Sequence, residues 1–535
     1  MFLVKKSVRM PISSVSGAEA TSIAGTKAAG VAGYMLINRI FTFLITGIAF
    51  ILVARFLGSG QYGIYTLALA FAGIFNTLGY LAVGDTVNKF ISEYKQTEKR
   101  KEINAVISNG MALVFVESVI LVLLCVLFSK TLSQYVFQTP NYAYLIVFAA
   151  LYILVSNFFG VFTNTFLGLG KARYLTIISI IEAFVQAMIS IALAFEWSRT
   201  SMAPLAPILG LLIGYGVAII AGIYFMHKNM GFSFVKPSMQ YFKRILSFSL
   251  PIAAYNILNG LMSNVALIFT GYYVLASVIG DIGVASRAGI LIGILIESIN
   301  FALLPAFSSA FADKNLNKHL GRMYGYVVYL SFALAGPLLF YMVVFSAPFS
   351  HLIFGTTYVN APLYISILSV GLLVGILGVF STTVLVGIGE VKLAFKYNVL
   401  VNLGALLVVL IFVPVFGGII YALSIFLIIP LLTDLLVIRK LSEMFKFRLK
   451  YNKLVRLVIA DVIVSAVAVP LYVVSSGIVL LSLAAVVFVV FYPLAAALVG
   501  GVDRGDVDTI KTLSNEIPLG GFVLRFFMDY VDMVI

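Results

Sequence analysis

The chain has 535 residues, of which 62% are hydrophobic and only 10% charged, with a mean hydropathy of +1.10. A water-soluble domain carries about 25% charged residues, so this chain lacks the polar surface that several soluble domains would need. The net charge of +14 raises nucleic acid as a partner, and the single cysteine, Cys125, excludes a disulfide framework or a cysteine metal site within one chain.

In chain order, residues 1–33 are small, polar and mildly basic, with Lys5, Lys6, Arg9 and Lys27 among Ser, Gly and Ala. No apolar stretch followed by a small-residue cleavage site occurs there, so the segment reads as a cytoplasmic arm. From residue 34, apolar runs long enough to cross ~30 Å of hydrocarbon recur along the chain. They fall at 34–56, 63–85, 105–128, 142–166, 175–195, 204–226, 248–272, 283–307, 323–345, 361–386, 396–413, 418–438, 455–474 and 478–499. The pattern predicts an all-α membrane protein of about fourteen transmembrane helices. The pairs at 396–438 and 455–499 are divided by breaks at Pro414–Gly418 and Ser475–Gly477. In the tail, 517–535 is apolar with Arg525, Asp529 and Asp532 spaced along it, as in a helix lying in the interface.

With the N-terminus inside, thirty of the 35 Lys and Arg residues fall on the inner side and only Arg55, Lys130 and Arg199 on the outer. This is the positive-inside asymmetry, and it places both termini in the cytoplasm of a cell (cytoplasmic) membrane protein. Topology therefore accounts for the net charge without nucleic acid.

The two halves repeat at an offset of about 219 residues. Asn38 and Thr46 match Asn256 and Asn264, Gln61-Tyr62-Gly63-Ile64 matches Asp281-Ile282-Gly283-Val284, and Leu167-Gly168-Leu169-Gly170-Lys171 matches Val386-Gly387-Ile388-Gly389-Glu390. Six spans separate the copies, so both insert in the same orientation: two parallel six-helix repeats, with a substrate path between them and two added C-terminal helices. The expected organisation is an arm (1–33), an N-terminal lobe (34–230), a C-terminal lobe (231–440), spans thirteen and fourteen (441–500) and a cytoplasmic tail (501–535).

The segment Ala54-Arg55-Phe56-Leu57-Gly58-Ser59-Gly60-Gln61-Tyr62-Gly63-Ile64-Tyr65 resembles the first-loop motif of the polysaccharide (O-antigen type) flippases. These belong to the multidrug/oligosaccharidyl-lipid/polysaccharide exporter superfamily. Gly168-Leu169-Gly170-Lys171, Ser249-Leu250-Pro251, Leu304-Pro305 and Phe354-Gly355 followed by Tyr358 also look like that family, and the resemblance runs from about residue 34 to 500. Phe416-Gly417-Gly418-Ile419-Ile420-Tyr421-Ala422 departs from the smaller residues usual in the family there. The resemblance implies two six-helix lobes around a cavity that opens alternately to either face. It also implies a polyprenyl phosphate- or pyrophosphate-linked oligosaccharide moved from the cytoplasmic to the outer leaflet for cell-surface polysaccharide or glycoprotein glycan assembly, with the last two spans accommodating the lipid tail.

A charge near the bilayer centre costs at least ~2.5 kcal/mol, so intramembrane polar residues are the site candidates. Asn38, Arg39, Thr42 and Thr46 share one arc of span one, and Asn256, Asn259, Gly260, Ser263 and Asn264 one arc of span seven. The substrate-binding candidates are Arg39, Asn38, Asn256, Asn259, Asn264, Arg287 and Asn300, the two arginines suiting a phosphate that has left water. Each arginine also lies near a span end, from where it can snorkel to the headgroups. Glu297 is the ion-coupling candidate; Glu117 and Glu182 read more readily as structural carboxyls, and Asp85, Asp434 and Asp461 as solvated near span ends.

Gly170-Lys171-Ala172 lacks the other residues of a nucleotide-binding loop, and His227, His319 and His351 are isolated, so neither ATP hydrolysis nor a metal or triad site is expected. Asp506-Val507-Asp508 reads as a solvated acidic turn. The chain is expected to be a transporter and not an enzyme, without cofactor and with H+ or Na+ coupling left open. Its expected partners are a lipid-linked glycan, membrane lipids and glycan-assembly enzymes, with no nucleic acid, the chain acting as a monomer. A cation-coupled multidrug or small-solute exporter on the same architecture is the alternative; a membrane glycosyltransferase or ligase would want a large outer loop with paired acids, which the sequence lacks.

Overall fold

The computed structural model describes residues 17–79, 82–97, 99–290, 320–445 and 451–507, with isolated positions 293, 311, 511, 529 and 532. Several side chains inside these stretches, those of Asn256 and Asn259 among them, lie outside the description, as do Glu297, Asn300 and most of the tail stretch 517–535.

The described residues form an all-helical membrane protein. Eleven helices among them are long and apolar enough to cross a membrane. The first, α1 (Gly17–Gly79), is kinked at Gly58, whose non-helical φ of 68° and ψ of 172° are open to glycine at little cost, so its two helical halves supply two crossings. The connection expected at 57–62 is reduced to this kink. Helix α7 (Met239–Tyr273) and α8, which opens at residue 276, stand outside the eleven. The total is consistent with fourteen.

After a break, α2 (Val83–Gln96) continues where the sequence suggested a loop. Its Val83, Val87, Phe90, Ile91 and Tyr94 recur at helical spacing and are all buried. Helix α3 (Arg100–Phe137) is 38 residues long, about 57 Å at 1.5 Å per residue, and overshoots the hydrocarbon. Helices α4 (Ala143–Gly168), α5 (Ala172–Glu196) and α6 (Leu205–Met230) complete the first half. The second half holds α7, α8, α9 (Leu320–Val344), the short α10 (Ser346–Phe354), α11 (Ala361–Gly387), α12 (Val391–Phe416) and α13 (Gly418–Phe445), in which Leu423–Ile428 is π-helical. The breaks before Gly418 and Gly477 fall where the sequence placed them, and α14 (Tyr451–Ala468) and α15 (Gly477–Leu498) form the added pair.

The repeat is visible bond by bond at the α4–α5 and α11–α12 turns. Gly170 N donates to Leu167 O and Lys171 N to Phe166 O; at the offset of 219, Gly389 N donates to Val386 O and Glu390 N to Leu385 O. Gly170 and Gly389 both have positive φ, 66° and 89°, the left-handed cap that ends a helix within one residue.

Small residues bring the helices close. A Cβ on Gly210 would lie 1.9 Å from Ser190 Oγ, and one on Gly371 1.7 Å from Phe426 O, so the GxxxG pairs serve packing within the chain. The lobes meet at the Gly58 corner, where Ala54, Tyr62, Ile279, Ile282, Phe354 and Tyr358 belong to one core. There Tyr358 donates to Ala54 O at 2.7 Å and Asn360 N to Asp281 Oδ2 at 3.1 Å. On the opposite side Arg244 of α7 reaches Tyr94 and Glu93 of α2. Helices α14 and α15 share a separate core with α9 and α11.

Three acidic residues differ from expectation. Asp434 and Asp461 are 3% and 1% exposed; α13 runs on to Phe445, which carries Asp434 well inside the helix and against Gly378, and Asp461 sits mid-helix against Gly336. Asp506 is buried too: its Oδ2 accepts from Tyr329 at 2.9 Å and from Lys453 at 2.8 Å.

Candidate substrate cavity

A cavity of about 320 Å³ opens among α1, α4, α5, α6 and α8. Both halves of α1 line it: Phe43, Thr46 and Phe50 before the Gly58 corner, Tyr62 and Tyr65 after it. The wall is aromatic and aliphatic with convergent polar groups, the usual make-up of a small-molecule site.

Arg287 enters this cavity from α8. It is surrounded by protein yet keeps an open surface toward the cavity. Its guanidinium lies in the field of Tyr62, Tyr65, Tyr152 and Tyr215. Tyr152 and Tyr215 pack ring against ring, with centroids 5.9 Å apart. A mid-membrane tyrosine hydroxyl seeks a polar neighbour, and all four of these tyrosines lie close enough to Arg287 to interact with its charge. Glu182 and Gln186 of α5 line the same cavity, and Glu182 Oε1 is buried with no described donor.

The other sequence candidates disperse. Arg39 is exposed on α1. It lies four residues before Phe43 and seven before Thr46, on the same stripe of α1 as these lining residues. Asn38 is part-buried, and its Oδ1 meets no described donor. Asn264 donates to Gly260 O at 2.8 Å and packs on Gly73, where a Cβ would lie 2.8 Å from its amide, so it sits in the α1–α7 seam between lobes. Asn256, Asn259, Asn300 and Glu297 lie outside the described residues or side chains.

Charges and amides stand out in an apolar sequence, and the tyrosines do not. Tyr62 and Tyr65 stood within the first-loop motif, and Tyr152 and Tyr215 fall mid-span, where a lone hydroxyl was the available signal.

A two-lobed bundle of this kind around an intramembrane cavity defines a multi-pass transporter. The sequence profile of the family described as "Polysaccharide biosynthesis protein" matches residues 29–311, more than half of the chain, and the chain belongs to that family. The structure is similar to that of lipid II flippase MurJ in its inward closed conformation, with a TM-score of 0.67 at 13% identity, covering 88% of this chain and 98% of that one. It is also similar to an inward-facing multidrug resistance MATE family transporter of the MOP superfamily, with a TM-score of 0.62 at 15% identity over 77% of this chain and 98% of that one. A MOP superfamily transporter from Pyrococcus furiosus gives 0.53 at 15% identity, over 78% and 96%. At these identities the likeness establishes the fold. No curated protein sequence matches significantly.

Proposed function

We propose that the protein moves a lipid-linked oligosaccharide, carried on a polyprenyl phosphate or pyrophosphate, from the cytoplasmic to the outer leaflet by alternating access. The observation that carries this reading is Arg287, a cation held inside the membrane among four tyrosines and open to the cavity. A guanidinium offers paired donors to phosphate oxygens, and tyrosine rings and hydroxyls suit the faces and edges of sugars. The family match and the MurJ likeness support the same substrate class. The protein acts as a transporter in the cell membrane with both termini cytoplasmic, in keeping with the distribution of Lys and Arg.

Glu182 favours a second reading. A carboxyl lining the cavity beside aromatic rings also suits an organic cation, and the MATE likeness fits a cation-coupled exporter. Purified protein in liposomes separates the two. Movement of a fluorescent polyprenyl-linked glycan between leaflets is expected; export of a dye cation with no glycan movement would replace the first reading by the second.

A further inference from the structure

The cavity that holds Arg287 carries a second polar wall, on α5. Glu182, Gln186 and Ser190 recur four residues apart on that helix, and all three line the cavity. Gly214 of α6 fixes where they start. A Cβ there would lie 2.9 Å from Glu182 O and 3.0 Å from Gln186 Cβ, so α6 packs directly on the α5 backbone. Glu182 is 8% exposed, and its Oε1 is buried with no described donor. Gln186 is half-buried and keeps surface toward the cavity.

A buried carboxyl oxygen without a donor costs free energy that a ligand carrying a donor can return. Arg287 is not that donor. Both residues act electrostatically on Tyr152 and Tyr215, yet burial alone, and no cation, shapes the surroundings of Glu182. The cavity thus has two poles: a guanidinium from the second lobe, and an acceptor beside an amide from the first. Its volume of about 320 Å³ lies at the lower end of the ~300–1,000 Å³ of small-molecule sites. That is room for one sugar ring and its phosphate, not for a whole oligosaccharide.

With the phosphate on Arg287, the sugar substituent next to the phosphate-bearing anomeric carbon is the one at C2. We propose that Glu182 and Gln186 read this position and select a 2-acetamido sugar over a 2-hydroxy sugar as the first residue of the glycan. An acetamido group presents one N–H and one C=O in opposite directions. Glu182 accepts from the N–H, which a carboxyl oxygen does whether or not its partner oxygen carries a proton. Gln186 Nε2 donates to the C=O. Side chains four residues apart on a helix start about 5–6 Å from each other, a spacing that suits the two ends of one amide. A hydroxyl at C2 can satisfy Glu182 but brings no carbonyl to Gln186, and a site that leaves a polar group unpaired rejects the ligand that does so. The selection deepens the glycan reading and rests on it.

The test measures binding to the full-length protein in detergent. The probes are two synthetic short-chain prenyl diphosphates, one carrying N-acetylglucosamine and the other glucose. The acetamido probe is expected to bind about tenfold tighter, the worth of one well-made hydrogen bond. Glu182→Ala and Gln186→Leu should each bring the two affinities close together. Glu182→Gln keeps an acceptor oxygen without the charge and should retain most of the preference. Arg287→Ala should weaken both probes alike. Should Glu182→Ala fail to fold, Gln186→Leu carries the same test. Equal affinity for the two probes in the unaltered protein, or a preference that survives in Gln186→Leu, would overturn the proposal and leave the transport reading standing. A preference lost as fully in Glu182→Gln as in Glu182→Ala would also overturn it, since charge and not the acceptor would then decide. Binding of neither probe, with a dye cation bound in their place, would remove the transport reading itself.

Discussion

Arg287 was legible in the sequence because a guanidinium in an apolar run is conspicuous. Its surroundings were not, because they come from four different stretches. Tyr62 and Tyr65 follow the Gly58 corner, Tyr152 is on α4 and Tyr215 on α6, and only packing of α8 against the first lobe gathers them. A tyrosine in an apolar span counts as hydrophobic in any periodicity, so its hydroxyl carries no signal until its partner is known. This arrangement predicts graded effects on glycan flipping. Arg287→Ala should reduce the rate at least tenfold, about 1.4 kcal/mol, at normal expression, and Arg287→Lys should restore part of it, since an ammonium keeps the charge but loses the paired donors. Tyr215→Phe removes one hydroxyl and should cost a few-fold at most. Arg39→Ala, a turn before the first lining residue of α1, should cost less than Arg287→Ala. Full activity in Arg287→Ala would show that the cavity does not hold the phosphate through this residue.

Helices reproduce their expected positions best where an apolar run ends in a glycine turn, as at Gly170, Gly389 and Gly417. Expectation failed where polarity was read as loop. Helix α2 is amphipathic, and its polar face hid a buried Val83, Val87, Ile91 stripe. The acidic turn near the tail was misread for a similar reason, since its partners are 50 or more residues away. Lys453 of α14 bonds Asp503 at 2.6 Å and Asp506 at 2.8 Å, while Tyr329 of α9 bonds Gly501 O at 3.0 Å. The turn thus latches the added helix pair onto the second lobe. The hydrogen bond from Lys453 holds Asp503 below its ordinary carboxylate value. A depressed carboxylate stabilises the fold above its unfolded pKa, near 4, and loses that contribution as pH falls through the lower folded value. Protection of the amides at residues 500–507 against exchange, relative to the unstructured rate at the same pH, should therefore be high at pH 7, fall only below about pH 4, and already be low at pH 7 in Lys453→Ala. Removing that partner also leaves Asp506 buried without its ammonium, at a cost of about 1–3 kcal/mol. Unchanged protection in Lys453→Ala would mean the turn is held by apolar contacts alone.

Between the lobes, contact at the Gly58 end is made by backbone on backbone. A Cβ on Gly63 would fall 1.6 Å from Ala276 O, and one on Gly280 2.0 Å from Ser59 O. Neither neighbour is a side chain that can swing aside. Gly63→Ala or Gly280→Ala should therefore penalise this closed end by about 1–3 kcal/mol, which shifts a two-state equilibrium 5- to 150-fold toward opening there. Labelling of a cysteine placed at Thr66 by a membrane-impermeant reagent should speed up accordingly in the glycine variants. An unchanged labelling rate would indicate that this end does not open.

If transport requires the Gly58 end to part, tying it shut must stop the cycle. A Cβ on Gly58 would lie 3.9 Å from Thr357 Cβ, inside the range of about 3.5–4.5 Å that a disulfide spans. Cysteines at both positions should cross-link the corner of α1 to the segment after α10 on oxidation, and glycan flipping should cease and return on reduction. The native Cys125 is buried and will not compete. Gly58→Cys alone places a side chain in left-handed backbone at a cost of about 1–2 kcal/mol, so the single variant sets the baseline for the pair. Persistent flipping by the fully cross-linked protein would place the moving boundary elsewhere, in the α1–α7 seam where Asn264 meets Gly73 and Gly260 meets Thr77. The two outcomes separate a cavity that opens by rocking of the lobes about the seam from one that opens by sliding of α7 along it.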